Sequence, residues 1–247
     1  IVGAWNEFTQ LYLNPNSALE QKTKDLIGMA VAAQAPCNYC TYMVRELAPL
    51  DSVSEEELKE AVSMAAITRH WSSVLNGLQP DELTFRLEVD DIMAHVKRDL
   101  ESSAPFQPGA EARTPFFASS EEAYRDIQKT FGTIPDFFRR FPYSAVAGAW
   151  MEMKYVQLNP STAIPPKIKE LIGLAVASQI PCRYCVYFHI QAARLYGASE
   201  AEIQETLAVA AISRHWSVVW TGARIDHKLF QREVRQLVVN MQNQRAA

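Results

Sequence analysis

The stretch PPKIKELIGLAVASQIPCRYCVYFHIQAARLYGAS, residues 165–199, decides the fold. Apolar side chains at Ile168, Leu171, Ile172, Ala175 and Val176 recur at the i, i+3, i+4 spacing of a helix. Pro165-Pro166 can open that helix and Pro181 stops it, because proline fits the first turn but not the interior. A second helix is predicted over 182–195, ended by Gly197, whose freedom at positive φ suits a C-cap. Ser199-x-x-Glu202 reads as a capping box for a third, which carries Ile203, Leu207, Ala210 and Ala211 inward. A fourth is expected over 226–241. Period-two alternation is missing, so the expected fold class is all-α.

The rest of the chain repeats this unit. A shift from Cys37 to Cys182 lays residues 1–98 on 146–243 without a gap, with roughly four positions in ten identical. Trp5-x-Glu7 recurs as Trp150-x-Glu152, Leu13-Asn14-Pro15 as Leu158-Asn159-Pro160, and Arg69-His70-Trp71-Ser72 as Arg214-His215-Trp216-Ser217. Two copies are too few for a solenoid; the pattern predicts two tandem helical bundles packed about a pseudo-twofold axis, as in a fused dimer. The boundaries read as a first repeat over 1–98, a Pro-, Ser- and Gly-rich linker over 99–119, and a second repeat over 120–247. Ser119 or Ser120 caps a helix that, with Ile134-Pro135-Asp136-Phe137-Phe138, supplies an element before the second repeat that the first lacks. Ile1 is not an initiator, so the natural chain is expected to extend further toward its N-terminus.

A net charge of −4 with 21% charged residues argues against non-specific nucleic-acid binding, which needs a basic footprint. No apolar run reaches the length of a membrane span. All four cysteines fall in two Cys-x-x-Cys pairs rather than a scattered disulfide framework, which points to a reducing, cytoplasmic setting with catalytic or metal-binding thiols.

The two pairs are not equivalent. Cys182 and Cys185 have Glu170 before them and His189 after them; Cys37 and Cys40 have Asp25 and Val44 in those places. A thiol at Cys182 sits at a helix start, where free N–H groups and the helix dipole favour the thiolate. His189 is one turn beyond Cys185, and a tight turn at Pro181 folds the Glu170 helix back onto the dithiol. Val44 cannot carry a proton, so the first pair reads as a degenerate site with protonated, slow thiols.

Glu170-x11-Cys182-x2-Cys185-x3-His189 resembles the signature of the alkylhydroperoxidase D and carboxymuconolactone decarboxylase superfamily, and keeps both cysteines of its peroxidase branch. The resemblance implies that Cys185 attacks a hydroperoxide, Cys182 resolves the sulfenic acid to a disulfide, and Glu170 and His189 relay the proton. It also implies an external dithiol reductant protein and a homo-oligomer, dimer or trimer. Separately, no glycine-rich phosphate loop is present and the Cys pairs sit in equivalent places of two bundles, so no cofactor or metal is expected. The dipole argument favours Cys182 as nucleophile and the resemblance Cys185; Cys185 is expected to attack, because the neighbouring imidazole and carboxylate give it its own route to a thiolate. Tyr184 stands where some members carry a second histidine.

Other readings stay open. The four cysteines could form one zinc site; the dithiol could serve a partner protein as a disulfide reductase; the chain could follow the non-redox decarboxylase branch or be a structural module. His70 and His215 are read as buried imidazoles bonded across the bundle, with His215 as an alternative pocket contact. Tyr187 and Phe188 are candidates for an apolar approach to the thiols. His95 and His227 are expected to be solvated, and Trp216, Trp220 and Phe230 to be core or interface.

Overall fold

The computed structural model describes residues 2–102 and 116–246. Among these residues the chain is all-α, with no strand and no helix long and apolar enough to cross a membrane. The first repeat runs α1 (Val2–Leu11), α2 (Gln21–Gln34), α3 (Asn38–Leu47), α4 (Glu55–Leu78) and α5 (Glu82–Ser102). Then come α6 (Ser120–Phe131) and the short α7 (Asp136–Arg139). The second repeat follows as α8 (Val146–Glu152), α9 (Pro166–Gln179), α10 (Arg183–Leu195), α11 (Glu200–Ala223) and α12 (His227–Ala246). Of the segment expected as linker, 99–102 complete α5 and 103–115 lie outside the described residues.

The local signals act as their chemistry requires. Ser54 and Ser199 each accept the N–H three residues on while Glu57 and Glu202 return the bond, two full capping boxes. Ser119, not Ser120, caps α6. The last helix starts at His227, one residue later than expected, and continues beyond Met241 to Ala246.

The repeats interleave. α4 packs on both α2 and α9, and α11 packs on both α9 and α2, so one continuous core runs from Tyr12 to Ile212. The closing helices are exchanged: α5 lies on α10 of the second repeat and α12 on α3 of the first. The tethers come in matched pairs. Tyr184 donates to the Pro80 carbonyl at 2.9 Å, and its counterpart Tyr39 to the Ile225 carbonyl at 2.7 Å. Lys169, fully buried, pairs with Glu60 at 2.9 Å, and Lys24 with Glu205 at 3.5 Å. Each lysine also donates to two backbone carbonyls, Val156 and Asn159 for Lys169, Leu11 and Asn14 for Lys24, which satisfies the buried ammonium.

The extra element before the second repeat covers α8. Trp150 is fully buried against Phe131 and Phe138 and donates to Asp126 at 2.7 Å. Its counterpart Trp5 stacks on Phe8 and is 53% exposed among the described residues.

Candidate active site

The turn at Pro181 sets α9 and α10 against each other, and Cys182 becomes the N-cap of α10, its sulfur accepting the Cys185 N–H at 3.3 Å. Cys182 and Cys185 are joined as a disulfide with Cα atoms 5.3 Å apart. Cys37 and Cys40 form the equivalent bond, again with 5.3 Å between Cα atoms. All four sulfurs belong to buried residues. Among the described residues no three His, Cys, Asp or Glu side chains converge as a metal site.

One helical turn beyond Cys185, His189 Nδ1 meets Glu170 Oε2 at 2.7 Å, and both side chains are buried. That contact leaves Nε2 as the nitrogen free for proton transfer. Glu170 also accepts from Gln157 Nε2, at 3.1 Å to one oxygen and 3.4 Å to the other. Gln157 reaches it because the chain after α8 widens into a π-helical turn, Met153–Gln157. The glycine one turn past Glu170 on α9 makes room for the imidazole: a methyl group on Gly173 would lie within 2.7 Å of His189 Nε2.

A pocket of about 40 Å³ holds the business end of this arrangement. Cys185, His189 and Gln157 line it from the second repeat, and Thr68, Trp71, Leu75 and Phe85 from the first. Cys182 does not line it. The site of one repeat is thus completed by α4 and α5 of the other. Thr68 Oγ1 and Trp71 Nε1 are both buried and without a hydrogen-bond partner. On the far side, a cavity of about 760 Å³ lies between α5, α6, α9 and α10 and reaches Glu170, with Phe131 and Phe188 common to both spaces. Tyr196, in the wall of the large cavity, is pushed up to about 12 by burial, with the Glu170 charge adding to it, so its phenol stays neutral.

The first repeat fills the same volume differently. Val44 replaces His189, and the Tyr12 hydroxyl reaches in over Gly28, within 2.6 Å of where a methyl group there would sit. Tyr12, the counterpart of Gln157, bonds to Asp25 Oδ1 at 3.2 Å and to the Lys24 carbonyl at 3.1 Å. Gln21 donates to the same Asp25 oxygen at 3.1 Å, while Asp25 Oδ2 is buried with no partner. Burial raises the Asp25 carboxyl from 3.8 to about 7. The shorter carboxylate is therefore capped by a phenol rather than coupled to an imidazole.

Several sequence readings change here. His70 is half-buried against Trp71 and Phe141 but its Nε2 has no partner, and His215 is exposed; neither bonds across the bundle, and His215 lines neither of the spaces beside Glu170. The cause is register: Arg-His-Trp places the tryptophan inward, leaving the histidine on the flank of the helix. His95 is not simply solvated; its Nε2 lies 3.1 Å from the Lys129 carbonyl and ties α5 to α6. Phe188 does wall the thiol pocket, whereas Tyr187 is held away by Asp90 at 2.8 Å and by Arg86 over its ring. Tyr184 is a structural tether, with Phe85 edge-on to its ring. Gln157, Thr68, Trp71 and Phe85 were not singled out by sequence. Only Gln157 carried a signal, since the overlay sets it against Tyr12.

Compared with known families, the chain matches the model of the carboxymuconolactone decarboxylase family twice, over residues 2–82 and 144–227. No curated protein and no solved structure matched it.

Proposed function

The chain belongs to the carboxymuconolactone decarboxylase family, and from that premise we propose that it is a dithiol peroxidase that reduces hydroperoxides at Cys185 and Cys182. The observation that carries this reading is the Glu170–His189 pair at 2.7 Å, buried in the wall of the pocket that Cys185 enters. Only Cys185 of the two cysteines faces that pocket, which favours it as the attacking sulfur despite the helix-dipole advantage of Cys182.

In the reduced protein the Cys185 thiolate attacks one peroxide oxygen; an S–O bond forms and the O–O bond breaks. The departing alkoxide takes a proton from His189, which Glu170 orients and keeps in the correct tautomer. Cys182, its thiolate favoured by the N-cap position, then attacks the Cys185 sulfenic acid. The S–S bond forms, the S–O bond breaks, and the hydroxide leaves as water on protonation. Two electrons pass from the dithiol to the peroxide, and an external dithiol protein returns them. The pocket admits the two oxygens of a hydroperoxide but not a polypeptide loop, which argues against partner-protein disulfides as first substrates. The 760 Å³ apolar cavity across Phe131 and Phe188 supports organic as well as hydrogen peroxide.

Anaerobic thiol counting before and after one equivalent of cumene hydroperoxide tests the reading. Loss of two thiols, abolished by Cys185→Ser and unaffected by Cys40→Ser, is expected. Retention of all thiols over minutes would overturn it in favour of a structural or partner-directed role.

A further inference from the structure

The thiol pocket contains two hydrogen-bond donors that the folded protein does not use. Thr68 Oγ1 and Trp71 Nε1 are buried without partners, on successive turns of α4, and both residues line the space that Cys185 and His189 enter. Leaving such groups unpaired costs stability that nothing in the fold returns. Thr68 does not even bond back to a carbonyl of its own helix, the usual refuge of a helical threonine. Leu75, Phe85 and Phe137 offer no acceptor, and neither donor bonds to Gln157 or His189 in the same wall. A volume of about 40 Å³ accommodates one or two water-sized groups.

We propose that Thr68 and Trp71, supplied by the first repeat, bind the hydroperoxide and hold its departing oxygen for the second repeat's dithiol. The inference rests on the peroxidase reading above. As Cys185 attacks the near oxygen, the far oxygen gains negative charge; the Thr68 hydroxyl and the Trp71 indole N–H donate to it until His189 delivers the proton. Such donors act on charge that develops only in the transition state, where a hydrogen bond is strongest. In the overlay of the repeats their counterparts are Ser213 and Trp216. Trp216 Nε1 is likewise unpartnered, but Val44 stands where the imidazole would be, so the two donors, the dithiol and the imidazole come together at Cys185.

The division of labour can be read by separating the two half-reactions in stopped flow. Thr68→Val keeps the shape and removes the donor, and should slow oxidation of the reduced protein by hydrogen peroxide about tenfold. Reduction of the oxidised protein by dithiothreitol involves no peroxide and should proceed at the wild-type rate. Thr68→Ser should recover peroxide oxidation to within about twofold, since a hydroxyl donor is restored. Trp71→Phe should also slow the peroxide step alone. Wild-type peroxide rates in Thr68→Val, or equal slowing of both half-reactions, would overturn the assignment. A wild-type protein that peroxide does not oxidise would instead remove the peroxidase reading itself, and the donor role with it.

Discussion

The His189 ring lies so close to Gly173 that no side chain, not even a methyl group, fits between them. That contact fixes the imidazole between Glu170 and the Cys185 pocket. Gly173→Ala should therefore push the ring aside and lower the rate of peroxide oxidation by about a hundredfold, the scale of a lost general acid. Gly28→Ala, which meets the Tyr12 hydroxyl instead, should leave that rate unchanged. Rapid-mix oxidation of the two variants compares them directly, and an equal loss in both would mean that packing, not imidazole placement, is at stake.

Asp25 gives a pH signature to the first repeat. Burial raises its carboxyl from 3.8 to about 7, so the folded state retains a proton that the unfolded chain releases. Its contribution to stability is present in full below 3.8 and is lost as pH rises through about 7. The shift corresponds to on the order of 4 kcal/mol at its limit. Asp25→Asn, neutral at every pH, should thus exceed the wild type in urea stability at pH 8 and lose that lead toward pH 4. A constant gap across the range would show that the carboxyl does not titrate as its burial demands.

The ion pairs between repeats should be unequal. Lys169–Glu60 spans 2.9 Å and Lys24–Glu205 3.5 Å; Glu60 also accepts from Thr162 and the Ile164 N–H, and Glu205 from the Ala18 N–H alone among the described residues. Removing one partner strands a buried ammonium, which costs about 3–5 kcal/mol in well-formed pairs. Glu60→Gln should lose roughly that much by chemical denaturation, and Glu205→Gln less. The reverse order would indicate that the second repeat does not lean on α4 as the packing implies.

What the sequence made legible followed from short-range chemistry. Pro166, Gly197 and the Ser199 capping box marked helix ends because the groups that satisfy those ends are local. The Glu170, Cys182, Cys185 and His189 set was legible because α9 and α10 are joined by one tight turn, so chain neighbours are also spatial neighbours. Thr68, Trp71 and Phe85 were hidden because α4 and α5 cross between repeats, a pairing of faces that periodicity cannot specify. Gln157 was hidden by its π turn, which departs from the 3.6-residue period used to find helices. His70 and His215 misled for a related reason: a histidine next to an inward tryptophan reads as buried, yet a step of one residue moves it off the core face.

If the two sites differ only by the residues that fill the volume over the glycine, the first can be rebuilt to match the second. Asp25→Glu lengthens the carboxylate, Val44→His supplies the imidazole, and Tyr12→Gln withdraws the phenol that now occupies the ring's place above Gly28. Ser213→Thr matches the donor that Thr68 provides to Cys185. Each change alone should do nothing for reactivity: a histidine at 44 collides with the Tyr12 hydroxyl, and a glutamine at 12 leaves a cavity over Val44. Together they should give a second peroxide-reactive dithiol at Cys37 and Cys40, with four thiols lost per chain against two in the wild type. Carrying the four changes in a Cys185→Ser background isolates the new site, where two thiols should still disappear. Failure there with an intact fold would place the difference between the repeats beyond these four positions, in the π turn that aims Gln157 and that the first repeat, ending its α1 at Leu11, does not form.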